Sequence, residues 1–420
     1  MKKTVFAAIL AAIAINASAQ NVSDALRFSL NDYYGTARSV AMGNAFTALG
    51  GDLGSVQLNP AGSAVNSYSQ VTITPSLNIL SGSALYSALG RVEDDATTRF
   101  NNNSRLTMPN IGVMLNYKTH RKSGLRSVSF GIVGNATNYY NDHMSAGGLN
   151  DRSSYMGYLS AFASGNQLTA AEIGKAGYQE MSPVFWPSMV GYRCGMVNDA
   201  GDGSYMSPAE GYKDGAYVLR GALRQNYERA SKGSKYDMVM NFGLNFNDRI
   251  FIGGNLGIVD IDYAINSYIR EEAVDHADFP VTISGKPDYF TSMRFHQAYS
   301  ASGSGVYAKI GIIAVPVTGL RIGAAVQTPT ANYITERLWF SGDTDFASGA
   351  KGSETIYDDE DYIYSYKLIS PARYSAGIAY TIPGFGLFSA DYELADYSSM
   401  SFRGAEYSDS DSFSDSNKSI

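Results

Sequence analysis

The residue types that most often carry chemistry are sparse in this chain and poorly spaced for it. Asp358-Asp359-Glu360-Asp361 could hold Ca²⁺ or Mg²⁺ through carboxylate oxygens. Its spacing matches no ion-binding loop, and a solvated charge run is the plainer reading. His120, His143, His276 and His296 are scattered without metal-site spacing. The one cysteine, Cys194, excludes an intramolecular disulfide and reads as a free loop thiol rather than a nucleophile. Gly253-Gly254-Asn255-Leu256-Gly257 faintly resembles a phosphate loop, but it lies inside an alternating apolar segment, where glycine relieves crowding instead. The chain offers no paired carboxylates, no nucleophile–base pattern and no cofactor motif. The expectation is a protein that is not an enzyme, with no catalytic residues, cofactor or metal.

The N-terminus says where such a protein works. Lys2 and Lys3 precede an apolar run from Thr4 to Ile15, and Ala17-Ser18-Ala19 follows as a small-x-small cleavage pattern. Residues 1–19 therefore read as a cleaved signal peptide, with the mature chain starting near Gln20. A membrane anchor is the alternative, but the run is shorter than the roughly 20 residues a spanning helix needs. The net charge of -7 becomes -9 without Lys2 and Lys3, which disfavours nucleic acid as a partner. The chain is rich in tyrosine (31) and glycine (43), and no later apolar stretch approaches membrane-helix length. An exported all-β protein fits this composition.

The strands alternate. In VTITPSLNI, residues 71–79, Val71, Ile73, Leu77 and Ile79 share one face, and Pro75 predicts a local kink or missing ladder bond. In 236–246, Tyr236, Met238, Met240, Phe242, Leu244 and Phe246 face one way. Asp237, Val239, Asn241, Gly243 and Asn245 face the other. Ile250, Ile252, Leu256 and Ile258 repeat the pattern after Asn247-Asp248-Arg249. A soluble sandwich would bury the apolar face; a transmembrane barrel would turn it to lipid on strands of about 9–11 residues. Asn-, Ser-, Thr- and Gly-rich opposite faces suit a wet lumen. Aromatics near strand ends (Tyr139, Tyr140, Tyr263, Tyr268, Trp339, Tyr362, Tyr392, Tyr397) suit interfacial girdles. Nine strands are predicted near 69–80, 106–117, 126–140, 236–246, 250–268, 292–315, 320–340, 361–382 and 386–400, joined by alternately long and short connections. That sorting favours a transmembrane antiparallel β-barrel.

Residues 23–65, SDALRFSLNDYYGTARSVAMGNAFTALGGDLGSVQLNPAGSAV, carry a resemblance. The stretch from Ala37-Arg38-Ser39 to Met42-Gly43, then Ala45-Phe46, Leu49-Gly50-Gly51-Asp52 and Asn59-Pro60-Ala61-Gly62, resembles the N-terminal plug of the outer-membrane long-chain fatty-acid and hydrocarbon transporters, the FadL/TodX-like family. The resemblance implies a 14-stranded outer-membrane barrel whose lumen is blocked by this segment. It also implies apolar substrates that bind an external groove, pass beside the plug and leave through a gap in the wall. Gly43, Phe46, Gly50, Gly51, Asn59, Pro60, Ala61 and Gly62 form the plug motif. Plain capping and active gating would both use the same glycines.

The expected division is signal peptide 1–19, plug 20–67, barrel strands 68–400 with a main external loop at 141–235, and a polar segment 401–420. Nine strands are fewer than fourteen, so an incomplete barrel is expected. In the main loop, Met181, Phe185, Trp186 and Met189 read as an external apolar groove, although they could simply pack the loop into a rim domain. Thr169-Ala170-Ala171-Glu172 reads as a capping box, and Val218, Leu219, Ala222, Leu223 and Asn226 follow helical spacing. The function expected is uptake of hydrophobic small molecules, long-chain fatty acids or hydrocarbons, by plug-controlled passive diffusion. The partners are that ligand and outer-membrane lipid, and the chain is a monomer. A general porin-like pore or a surface adhesin displaying long loops are the alternatives. The inward charges Lys309, Arg321 and Arg373 are few for a polar constriction.

Overall fold

A computed structural model describes residues 22–86, 98–356 and 362–404. The leader at 1–19, the acidic run Asp358–Asp361 and residues 405–420 lie outside the described residues. Strand makes up 59% of the structure and helix 16%, so the all-β expectation holds.

Nine long strands, several of them briefly interrupted, form one curled antiparallel sheet. They are β1 (Gln70–Leu85), β2 (Thr98–Lys118), β3 (Leu125–Tyr139, continuing as Asp142–Asn150), β4 (Leu223–Phe246) and β5 (Ile250–Ala273). Then come β6 (Lys286–Ala314), β7 (Leu320–Gln327 and Thr330–Phe346), β8 (Tyr362–Ser370 and Arg373–Ile382) and β9 (Gly386–Ala395 and Ser401–Gly404). Each strand pairs with its neighbours in sequence order. Among the described residues, β1 and β9 do not pair with each other.

Period-two patterning decides the faces. On β4 and β5 the even-numbered apolar residues are exposed: Met238 54%, Phe242 48%, Leu256 50%, Ile258 44%. Their odd-numbered neighbours Asn241, Val239, Asn255 and Val259 are buried. Exposed apolar side chains continue around the convex face through Val71, Ile73 and Leu77 on β1, Ile310 on β6, Ile378 on β8 and Phe388 on β9. Soluble monomers rarely expose a contiguous apolar surface beyond a few hundred Å². At Pro75 the β1–β2 register shifts between Thr74 and Ser76, as the missing N–H requires. The β4–β5 turn places Asn247 and Asp248 both at φ 56°, a conformation that asparagine and aspartate adopt more readily than most residues.

The strands run beyond their expected ends. The third connection is therefore 151–222 rather than 141–235, because β3 resumes at Asp142 and β4 begins at Leu223. The helical expectation for 218–226 is wrong. Ala216–Leu219 pairs with Glu210–Lys213 as a hairpin, and Leu223 and Asn226 belong to β4. Asp214 and Gly215, both at positive φ, form the turn; an Asp-Gly step between apolar runs is a hairpin signal that outranks loose helical spacing.

Candidate functional site

The inner face of the curl is occupied by residues 22–66. This segment holds short helices α1 (Val22–Ser29), α2 (Ala37–Ala41) and α3 (Gly62–Val65). At Asn59 the stretch Asn59-Pro60-Ala61 meets the wall. Asn59 is fully buried, and its Nδ2 donates to Thr47 O (2.7 Å), Ile312 O (3.2 Å) and Ala324 O (3.4 Å). Its Oδ1 accepts from the Ala61 N–H (3.1 Å). One amide thus ties the segment's own turn to β6 and β7. Leaving such a group unpaired would cost about 1–3 kcal/mol.

The wall answers with asparagines. Asn241 donates to Pro60 O (3.0 Å), Asn255 to Val56 O (2.8 Å), Asn135 to Gly54 O (3.4 Å) and Asn116 to Asn66 O (2.8 Å). The inward polar residues therefore bond protein here, and the expectation that they line a wet lumen is corrected for these four. Inward glycines supply room. Gly243 pairs with Gly253, and Gly253 with Gly311. A Cβ on Gly253 would stand 2.3 Å from the Pro60 carbonyl carbon.

Cations hold the C-terminal end of α1, where helix carbonyls lack partners and the dipole is negative. Lys235 Nζ donates to Phe28 O (2.8 Å), Leu30 O (3.3 Å) and Asn31 Oδ1 (2.9 Å). Arg373 donates to Ser29 O (2.7 Å) and to Glu393 (2.6 Å). Arg321 donates to Leu49 O. Beneath α1, Phe28 packs edge-on against Tyr140 and Tyr263. Those two tyrosines point inward, not into an interfacial girdle.

The plug-motif residues all lie in this segment, in different surroundings. Phe46 is fully buried with Leu49 and Ala379. Gly50 and Gly51 take φ 58° and 77°, a conformation that favours glycine, and a Cβ on Gly50 would also stand 2.9 Å from the Gly62 Cα. Gly43 is at φ 65° with nothing near its missing Cβ.

Beside the segment the wall is split. β2 and β3 pair only between Asn110–Lys118 and Ser127–Asn135. The remainder of β2, from Thr98, pairs with β1 alone. At the head of the split Asn110 donates to Asn135 Oδ1 (2.7 Å). Beyond it the segment takes the vacant ladder positions: Asp32 N–H donates to Thr137 O (2.7 Å) and Tyr34 N–H to Ala136 O (3.0 Å). Tyr34 packs on Tyr139, whose hydroxyl meets that of Tyr236 (2.9 Å). No local sequence feature announced the split apart from Pro109, which sits in the β2 register shift opposite Pro75, next to Asn110 where pairing with β3 stops. Toward the long-loop end of α1 lies a cavity of about 230 Å³, lined by Arg27, Arg229, Tyr227, Tyr263 and Tyr299 among others.

The third connection folds into a domain against the inner face of β5–β7. It contains helices α4 (Tyr155–Gly165), α5 (Ala170–Lys175) and α6 (Trp186–Arg193). The capping box at Thr169 and Glu172 is present, and the Thr169 backbone N–H and hydroxyl hold the Glu172 carboxyl below its usual range. The open apolar groove expected here is corrected for Trp186 and Met189. Both are fully buried in a core with Leu159, Val190, Phe290, Phe295 and Phe340, and Trp186 Nε1 donates to Tyr178 O (2.9 Å). Met181 and Phe185 are partly buried against that core. Packing prevails because so much aromatic surface is better removed from water than left open. Cys194 is a free, buried thiol, pushed up to about 12 by burial. Among the described residues no three His, Cys, Asp or Glu side chains are close enough to share a metal ion.

No protein-family model matches the sequence, and comparison with curated proteins returns no significant match. The fold class and the geometry of the inner face carry the functional argument.

Proposed function

We propose that this chain is the wall and plug of an outer-membrane β-barrel transporter for hydrophobic small molecules, similar in working to the FadL/TodX-like family. The observation that carries the reading is a split in a wall whose convex face is apolar, lined on the inner side by a docked N-terminal segment. An apolar band on the outside suits lipid. A segment bonded across the inner face suits a plug. It also argues against a general pore, because the space such a pore would use is filled. Unpaired backbone groups cannot face lipid, and residues Asp32–Tyr34 meet part of that need along β3.

In this reading the molecule enters from the long-loop end, passes the cavity near Tyr263 and leaves sideways between β2 and β3 into the membrane. Movement of residues 32–34 governs the last step. Long-chain fatty acids and hydrocarbons are the substrate class.

The test is uptake of a fluorescent long-chain acyl probe into phosphatidylcholine vesicles carrying the full chain. Asn135→Leu removes the bonds to Asn110 and Gly54 at the head of the split, and should raise the rate. Uptake equal to that of empty vesicles would sink the proposal.

A further inference from the structure

We propose that the convex face of β7–β9 carries a binding site for the phosphate of an anionic lipid headgroup, formed by Lys367 and Arg403. The site rests on the reading that the convex band faces lipid.

The register places it. Tyr236 pairs with Asp260, Asp260 with Ser304, Ser304 with Tyr333, Tyr333 with Lys367 and Lys367 with Arg403. Directly paired residues of antiparallel strands project to the same face. These project outward, since the next pair along, Leu368 and Phe402, is buried at 0% and 1%. One step toward the short turns lie Met238, Ile258 and Val306, each roughly half exposed. One step the other way lie Ser234, Asp262, Ser302, Thr335 and Ser365, all polar. On β8 and β9 themselves the outward residues toward the short turns, Tyr374, Ile378, Tyr392 and Leu394, are exposed and apolar or aromatic, while Ser365 lies one step the other way, so Lys367 and Arg403 border the apolar band, where lipid phosphates meet a membrane protein.

Two cations stand side by side in that row. Like charges directly opposite on paired strands repel. Among the described residues neither Lys367 nor Arg403 has a carboxylate partner, whereas Arg294 and Arg270 do. The Lys367 ammonium lies 5.3 Å from the centre of the Tyr333 ring, an arrangement that restrains its position. An anion between the two would replace repulsion with two charge-assisted contacts. A phosphate suits an arginine fork beside an ammonium. Elsewhere the row carries Asp260, so the preference belongs to β7–β9 and not to the whole circumference.

The experiment uses the full chain inserted in phosphatidylcholine vesicles containing a minor fraction of phosphatidylglycerol, with retained lipid read by native mass spectrometry. The wild type should retain phosphatidylglycerol in preference to phosphatidylcholine. Lys367→Ala with Arg403→Ala should weaken that preference about tenfold or more. Lys367→Gln alone should weaken it partly, and Lys367→Arg should keep it. Slow maleimide labelling of the buried Cys194 checks that each variant is folded. An equal preference in the double variant overturns the site. A wild type that inserts but shows no preference also overturns it while leaving the barrel reading standing. Failure of the wild type to insert at all overturns both.

Discussion

Replacing Gly253 and Gly254 by alanine, one at a time, separates the inner face from the outer. These chain neighbours point to opposite sides of β5. A Cβ on Gly253 would lie 2.3 Å from Pro60 C, 2.4 Å from Pro60 O and 2.5 Å from Ala61 N. All three are backbone atoms, and Pro60 O is held by Asn241 while Asn59 is held by Thr47, Ile312 and Ala324. The contact cannot be relieved by rotating a side chain. Overpacking of this kind costs about 1–3 kcal/mol, a rise of about 5- to 150-fold in the population with the segment undocked. A Cβ on Gly254 would meet nothing nearer than Lys309 O at 3.9 Å. Removing a glycine from a strand there should be neutral or stabilising by about 0.5–1 kcal/mol. Amide hydrogen exchange of residues 55–65 in the folded protein reads the difference. Gly253→Ala should accelerate exchange within that fold range, and Gly254→Ala should leave it unchanged. Equal exchange in the two variants would refute the docking of Asn59-Pro60-Ala61 on β5.

Three further outcomes follow from particular contacts. Arg373→Met removes the donor to Ser29 O and the ion pair with Glu393, so residues 22–34 should become the first site of limited proteolysis; an unchanged cleavage map counts against the anchor. Burial raises the Cys194 thiol to about 12, above the 8.5 of an unfolded cysteine, so this contribution to stability is complete below about pH 8.5 and is lost as pH rises toward 12. Maleimide labelling at neutral pH should be slow in the native protein and fast in denaturant, and fast native labelling would contradict the packed rim domain. Thr169→Ala removes both the cap on Glu172 N–H and the hydroxyl bond to its carboxylate, and should cost the rim domain about 1 kcal/mol, read as a lower midpoint for exposure of Cys194.

Strand positions were legible because alternation over ten or more residues has one meaning in backbone geometry. Met238 to Phe246 and Ile250 to Ile258 show it plainly, and Pro75 marked a real register shift. The two faces were legible as faces. Their surroundings were less so. Asn241 and Asn255 looked like residues for water, yet they bond Pro60 and Val56, about 180 to 200 positions earlier in the chain. Trp186 and Met189 looked like a groove, since an apolar cluster has the same composition whether it is open or packed. At 218–226 loose helical spacing competed with an Asp-Gly turn, and the turn prevailed because the strand that follows gains a full ladder with β5.

The sequence by itself determined the period, the turns and the sidedness, all of them consequences of local stereochemistry and of which side chains prefer water. Tertiary structure alone decided that Asn59 reaches β6 and β7, that glycines on neighbouring strands meet at one level, that β2 parts from β3 beside Asp32–Tyr34, and that Lys367 stands against Arg403. Each of these depends on register between distant segments. Register is set by the summed fit of a whole strand against its neighbour, a quantity no short stretch of residues contains.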